Sequence, residues 1–182
     1  MKASRYIPHY TIEEWERWEG RWELWRGVPV AMSPSPRRIH HHTLHRPYRH
    51  IEDQIEAKDA SGGCEMLREI DWRIGQDLVV CPDLSIICGQ DDGHFITRTP
   101  TLIAEVLSPS TQLKDRNQKR ALYHERGEKY YAMLDPDGQQ FQVLRFDEDK
   151  EVGVERGEDG CFAVELHEGC AARLDPAKVW GV

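Results

Sequence analysis

A chain of 182 residues with 39% hydrophobic and 31% charged side chains has the size and balance of one folded domain, expected to span 1–182, which excludes a disordered tail or a fibrous repeat. Its net charge of −8 excludes a protein that coats nucleic acid with a uniformly basic surface. No run approaches the roughly 20 apolar residues that cross a bilayer, and MKASRYIPHYTIEEW at the start lacks the apolar core of a signal peptide, so no membrane partner and a cytoplasmic location are expected.

Thr11-Ile12-Glu13-Glu14 has the form of a capping box, and a short helix is expected to follow and end near Gly20. WELWRGVPVAMSP, rich in aromatic and β-branched residues, is broken at Arg26-Gly27 as a hairpin is. Glu23 is expected on the face opposite Trp22 and Leu24. From 38 to 57, Leu44, Tyr48, Ile51 and Ile55 recur at helical spacing, and Pro47 should kink that helix or mark a new first turn.

Ile70, Trp72 and Ile74 alternate with Glu69, Asp71 and Arg73, which predicts a strand with one buried face. A turn at Gly75-Gln76-Asp77 leads into LVVCPDLSIIC, apolar on both faces and so a central strand. After a loop over 89–99, TLIAEVLS forms a third apolar strand that stops at Pro109. Residues 111–126 pattern as a helix ended by Gly127, and YYAMLD as another buried strand. Asp135-Pro136-Asp137-Gly138 then turns into the alternating FQVLRF of an edge hairpin, with CFAVEL as a last strand. There is no internal repeat, low-complexity tract or linker.

Asp83, beside Pro82 in one buried strand, and Glu105 in the next bring two carboxylates into the interior of a sheet. Burying charge costs several kcal/mol unless it is paired or bound to a metal. The partner is either a basic residue, giving ordinary salt bridges, or a hard divalent cation such as Mg²⁺ or Mn²⁺, which suits oxygen ligands. Asp115, Lys119 and Tyr123, at i, i+4 and i+8, share one helix face. From there Lys119 could point back to the strand ends, orient or deprotonate a water, and neutralise charge developing on a phosphate. The alternative is a solvated helix lysine.

Two stretches are basic against the acidic background, 37–50 and 114–120, and within them His41, Arg116 and Arg120 are candidate substrate contacts. The His40-His41-His42 run invites zinc. Adjacent histidines on a helix point in different directions, however, so a surface cluster or phosphate contact is the better reading. Four tryptophans, Trp15, Trp18, Trp22 and Trp25, fall within eleven residues, a density that suits core packing or a subunit contact better than base stacking. Five cysteines without a CxxC pair indicate neither a disulfide framework nor a thiolate zinc site, and reduced, mostly buried thiols are expected.

Pro82-Asp83 followed by Glu105-Val106-Leu107 resembles the PD-(D/E)xK signature of restriction-endonuclease-like nucleases, with leucine where lysine normally stands. The wider sequence resembles a bacterial family of restriction-endonuclease domains, the Uma-two type, in which that lysine has moved to the following helix. Trp22-Glu23-Leu24-Trp25-Arg26-Gly27 is similar to that family's YELIDG hairpin, Met32-Ser33-Pro34-Ser35-Pro36 to its MSPPSP turn, and His40 or His41 to the histidine opening its first long helix. Val80-Cys81-Pro82-Asp83-Leu84 resembles its VVQPDL strand, and Ile103-Ala104-Glu105-Val106-Leu107-Ser108-Pro109-Ser110-Thr111 its VEVLSPST strand. Asp115, Lys119 and Tyr123 match its D…K…Y helix, and Glu128-Lys129-Tyr130-Tyr131 through Asp135-Pro136 its EYWIVDP strand. Trp25-Arg26, Pro47 and Arg120 depart from the pattern without removing a proposed ligand.

The resemblance implies an α/β (α+β) restriction-endonuclease-like fold: a central mixed sheet flanked by helices, with an N-terminal helix and β-hairpin. It implies Mg²⁺ (or Mn²⁺) held by Asp83, Glu105 and the main-chain carbonyl of Val106, with Glu23 reaching the same site and Lys119 positioning the attacking water. The implied reaction is hydrolysis of a phosphodiester in nucleic acid, DNA in the first instance, with a homodimer as the expected assembly. Against this stands a non-catalytic binding or scaffold protein that keeps the fold, for which the displaced lysine and the acidic net charge speak. A regulatory protein binding metal through its histidines is a third possibility.

Overall fold

A computed structural model describes residues 7–32, 38–57, 63–91, 93–148, 150–168 and 170–180. The capping box forms: the Thr11 hydroxyl accepts from the Glu14 amide at 3.4 Å, and a Glu14 carboxylate oxygen accepts from the Thr11 amide at 2.8 Å. The helix it opens, α1, covers only Ile12–Trp15 before turns lead to Gly20. β1 (Trp22–Trp25) and β2 (Val28–Ala31) make the expected hairpin. Arg26 and Gly27 have φ of +49° and +77°, the positive pair that a two-residue turn needs to match strand twist. The MSPSP turn continues into 33–36, outside the described residues.

α2 (Arg38–Ala57) runs through Pro47 as one helix, which overturns a new start at that residue. Its buried Leu44 and Ile51 join the main core, so tertiary packing rather than an intact hydrogen-bond ladder holds it together. β3 (Cys64–Arg68) was not foreseen, because its acidic and basic residues interrupt the apolar pattern. The alternating segment after it yields only a short strand, β4 (Trp72–Ile74).

The larger correction concerns 78–88. These residues are not one strand but two, β5 (Leu78–Val80) and β6 (Leu84–Cys88), separated at Cys81-Pro82-Asp83. β5 joins a four-stranded antiparallel sheet in the order β2-β1-β5-β4, whereas β6 joins a six-stranded sheet. Pro82 has no N–H to donate to a ladder, which suits it to the point where the chain changes sheets.

In the six-stranded sheet the order is β10-β9-β8-β7-β6-β3, with β7 (Leu102–Val106), β8 (Tyr130–Asp135), β9 (Gln140–Asp147) and β10 (Lys150–Gly153). Only β7 and β8 run parallel, so the sheet is mixed. Side-chain alternation divides β7 between two cores. Leu102, Ala104 and Val106 pack toward α2 and the ribbon of β11 (Phe162–His167) and β12 (Cys170–Leu174), while Ile103 faces Trp72, Leu122, Tyr123 and Tyr131. Glu105 shares the second face. The last element is α4 (Pro176–Trp180).

The expectation of five reduced thiols is corrected as well. Cys64 and Cys88 form a disulfide across the β3–β6 ladder, where they are register partners, and Cys81, Cys161 and Cys170 are free. Among the described residues no helix is long and apolar enough to cross a membrane.

Candidate active site

Where β5 leaves one sheet and β6 enters the other, the Asp83 side chain spans the gap to β7. Its Oδ2 accepts the Val106 amide at 2.8 Å, which ties the Pro-Asp corner to the next strand, and its Oδ1 lies 3.4 Å from His40 Nε2 on the first turn of α2. Burial alone would lower the His40 pKa, but the contact with Asp83 and the nearby Glu69 and Asp115 raise it. Val106 therefore contributes its amide to Asp83, and its carbonyl is the group left for the ligand role expected of it.

Glu105 is 2% exposed. One of its oxygens, Oε1, accepts both the Lys119 ammonium and the Tyr123 hydroxyl at 2.7 Å. Full burial, with the charges of Asp83 and Asp115 behind it, outweighs Lys119 and lifts the Glu105 carboxyl above its ordinary range. Burial would depress Lys119, yet Glu105 and Glu23 hold it protonated well above the usual lysine value. Glu23, completely buried on β1, completes the clasp from the other sheet. Its Oε1 lies 3.3 Å from Lys119 Nζ and accepts the Cys81 amide at 3.2 Å, and its Oε2 accepts Lys114 Nζ at 2.8 Å and the Trp25 indole N–H at 3.1 Å. Burial would raise Glu23, but the two ammonium groups hold it down at about 2.

Lys114 escaped the sequence reading, and the reason is local winding. The predicted helix begins as a π-helical segment, Lys114–Lys119, and becomes α-helical only over α3 (Arg120–Glu125). Five residues apart on an α-helix, at 100° each, Lys114 and Lys119 would diverge by about 140°. With i→i+5 hydrogen bonding they stand one above the other and converge on the same carboxylate. Asp115 is also buried, and its carbonyl accepts the Tyr131 hydroxyl at 3.0 Å.

The resulting cavity, of about 400 Å³, is lined by five carboxylates, Glu23, Glu69, Asp83, Glu105 and Asp115. Against them stand three permanent cations, Arg21, Lys114 and Lys119, with His40 a fourth when protonated. Carboxylates outnumber the fixed cations even though burial holds Glu105 toward its neutral form, so the space favours a cation that takes the place of that proton. Among the described residues no three His, Cys, Asp or Glu groups form a ready-made metal cage. Five carboxylates outnumber the one imidazole, His40, among the donors that line the cavity, which suits a hard ion held by one or two carboxylates with water and substrate completing its shell.

The other candidates lie elsewhere. His41 is exposed and its ring stacks on His45 at 6.1 Å between centroids, so the histidine that reaches Asp83 is His40. Arg116 pairs with Asp135 at 3.3 Å and Arg120 with Glu151, and neither lines the cavity. Which histidine faces inward depends on how α2 docks, a property its sequence does not carry.

No curated protein matches the chain significantly. Among solved structures, one described as a "putative nuclease belonging to DUF820" from Anabaena variabilis ATCC 29413 superposes with a TM-score of 0.74 at 16% identity, covering 94% of this chain and 97% of that one. That likeness shows the fold: the mixed sheet and its flanking helices are those of the restriction-endonuclease-like architecture expected from the motifs. The pattern of the Uma2 family, described as "Putative restriction endonuclease", matches residues 11–168, and the chain belongs to that family.

Proposed function

We propose that the chain is a metal-dependent nuclease that hydrolyses phosphodiester bonds in DNA at the Asp83–Glu105–Lys119 cluster, with Mg²⁺ or Mn²⁺ as its cofactor. The observation that carries this reading is the buried Lys119 ammonium held between Glu105 and Glu23 in a cavity with excess carboxylate. Asp83, Glu105 and the Val106 carbonyl would hold the ion, with Glu23 supporting it from the hairpin. A bound divalent ion activates water and stabilises charge on a scissile phosphate. The raised pKa of Lys119 supports orientation of that water and stabilisation of the phosphate over proton abstraction, because an ammonium that stays charged donates and does not accept. Tyr123 fixes the Glu105 carboxylate, and Lys114 fixes Glu23.

One observation favours a second reading, a nucleic-acid-binding or scaffold protein without turnover: Glu105 and Glu23 already find partners in Lys119 and Lys114. Calorimetric titration of Mn²⁺ into wild type and Asp83→Asn separates the two, since the substitution is nearly isosteric. The nuclease predicts binding by wild type, loss in the variant, and cleavage of DNA that disappears in both Asp83→Asn and Lys119→Ala. Equal Mn²⁺ behaviour in the two proteins, with no cleavage by either, sinks the nuclease in favour of the scaffold.

A further inference from the structure

On the far side of Cys81 from the carboxylates lies a second groove, of about 490 Å³, within the range of small-ligand sites. Its walls are Trp15, Trp18, Trp22 and Phe95, and Arg73 and Asp71 supply polar groups. Cys81, Arg21, Glu69 and Met32 line both this groove and the carboxylate cavity, so the two spaces are contiguous.

Cys81 is the partition. Its amide and carbonyl face Glu23 and Lys119, at 3.2 and 3.5 Å, while its sulfur accepts from Arg21 at 3.8 Å. Burial, then the neighbouring charge of Asp71, pushes the Cys81 thiol up to about 12, so it is an uncharged wall and not a nucleophile. The aromatic rings are held in place before any ligand arrives. Trp15 Nε1 donates to the Trp22 carbonyl at 2.8 Å and Trp22 Nε1 to the Glu19 carbonyl at 2.9 Å, while Trp18 meets Trp22 edge-on at 6.2 Å. The Arg73 guanidinium lies 3.2 Å from the centroid of the Phe95 ring and is anchored by Glu16 at 2.5 Å. With Arg73 already over one face of Phe95, the indole rings supply the π-surface an unstacked base requires, and the carboxylates supply acceptors for its amino edge.

The geometry points to a nucleobase subsite: the base adjoining the phosphate at the carboxylate cluster leaves its stack and enters this groove, which makes the substrate single-stranded or locally opened nucleic acid. This rests on the nuclease reading of the adjoining cavity for its placement, but its binding chemistry is separable. A base inside a duplex presents only its edges, whereas the groove offers faces. A protein segment is the competing occupant, because tryptophan and arginine also anchor protein interfaces. Contiguity with a phosphate-directed cavity favours the base.

The test measures fluorescence anisotropy of labelled 12-nucleotide DNA strands in EDTA, which stops cleavage. The probes are an intact strand, a set of strands each carrying one abasic position, and the duplex of the same sequence. The expected result is tighter binding of the strand than of the duplex, and an abasic position that weakens wild-type binding roughly 10- to 100-fold. Trp22→Ala and Phe95→Ala should weaken the intact strand to a similar extent and add nothing on that abasic strand, with Trp22→Phe restoring most of the loss. Trp22 is 37% exposed, so its truncation spares the core, and unchanged Mn²⁺ binding by both variants reports intact folding. Variants that bind intact and abasic strands as wild type does overturn the base subsite and leave the nuclease standing. Absence of binding to any strand, or a preference for the duplex, overturns it too and leaves the groove to a protein partner. If base-dependent binding appears but Asp83→Asn changes nothing in Mn²⁺ titration, the subsite survives and the nuclease falls.

Discussion

Replacing Lys119 by methionine keeps most of the side-chain volume and removes one charge from the centre of the cluster. Glu105 then loses an ion pair of 2.7 Å and Glu23 one of 3.3 Å, both in a region where Lys119 itself is 3% exposed. Deleting one partner of a buried ion pair costs roughly 3–5 kcal/mol, because the remaining charge stays desolvated. For a chain of this size that is a fall in melting temperature of roughly 6–20 °C. Glu105 already holds its proton above the normal range, so removing the ammonium should raise its pKa further. A carboxyl with a raised folded pKa is least costly at low pH, so the penalty should shrink toward pH 4.5 and grow as pH rises. Urea melts at pH 5 and pH 8, with and without Mn²⁺, read all of this. A divalent ion should stabilise Lys119→Met by about 2.7 kcal/mol at a hundredfold excess over the variant's dissociation constant, and wild type by less at the same concentration, because Lys119 competes for the same carboxylates. A variant within 1 kcal/mol of wild type at pH 8 in EDTA would show that neither buried carboxylate depends on Lys119, and the electrostatic account of the site would be wrong.

Three further outcomes are expected. Glu23, held down at about 2 against an ordinary 4.5, contributes roughly 3 kcal/mol above pH 4.5 that is lost as pH falls toward 2; Glu23→Gln should flatten that arm of the acid-unfolding curve. Glu128, buried and pushed well above the usual carboxylate range against the nearby Ile103 amide, works in the opposite direction. Wild type should lose about 1.4 kcal/mol per pH unit above 4.5 on its account until its folded pKa is passed, and Glu128→Gln should remove that slope from a plot of melting temperature against pH; parallel slopes would refute the assignment. Reducing the Cys64–Cys88 bond, which closes a loop of 24 residues, should cost about 3 kcal/mol by chain entropy, read as a lower urea midpoint in the presence of a phosphine reductant and absent in Cys64→Ser.

The sequence displays some of this architecture and conceals the rest for physical reasons. Glu105 and Lys119 are legible because burial of charge demands compensation and because i, i+4, i+8 spacing gathers Lys119 and Tyr123 on one helix face, as both contacts with Glu105 bear out. The break at Cys81–Asp83 is not legible, since β5 and β6 are equally apolar and hydrophobicity says nothing about a change of partner. Lys114 was hidden by π-winding, a departure from regular spacing that depends on how 114–119 seats against β1. The disulfide joins residues 24 apart that become neighbours only through the β3–β6 register. Cys64 falls in the one strand of the six-stranded sheet's β3 edge that charged residues had masked.

Glu23 and Glu105 belong to different sheets, and Lys119 clasps both. The cluster is therefore a fastener: the chain crosses between the hairpin sheet and the six-stranded sheet through α2, through 69–71 and through the short corner at Cys81-Pro82-Asp83, and the ion pairs brace that last corner from the side. Whatever binds between the carboxylates must change how stiffly the two sheets are held together. Its arrival should be audible beyond the cluster, as slower amide exchange in β2 (Val28–Ala31), the outer strand whose Val30 is the register partner of Glu23.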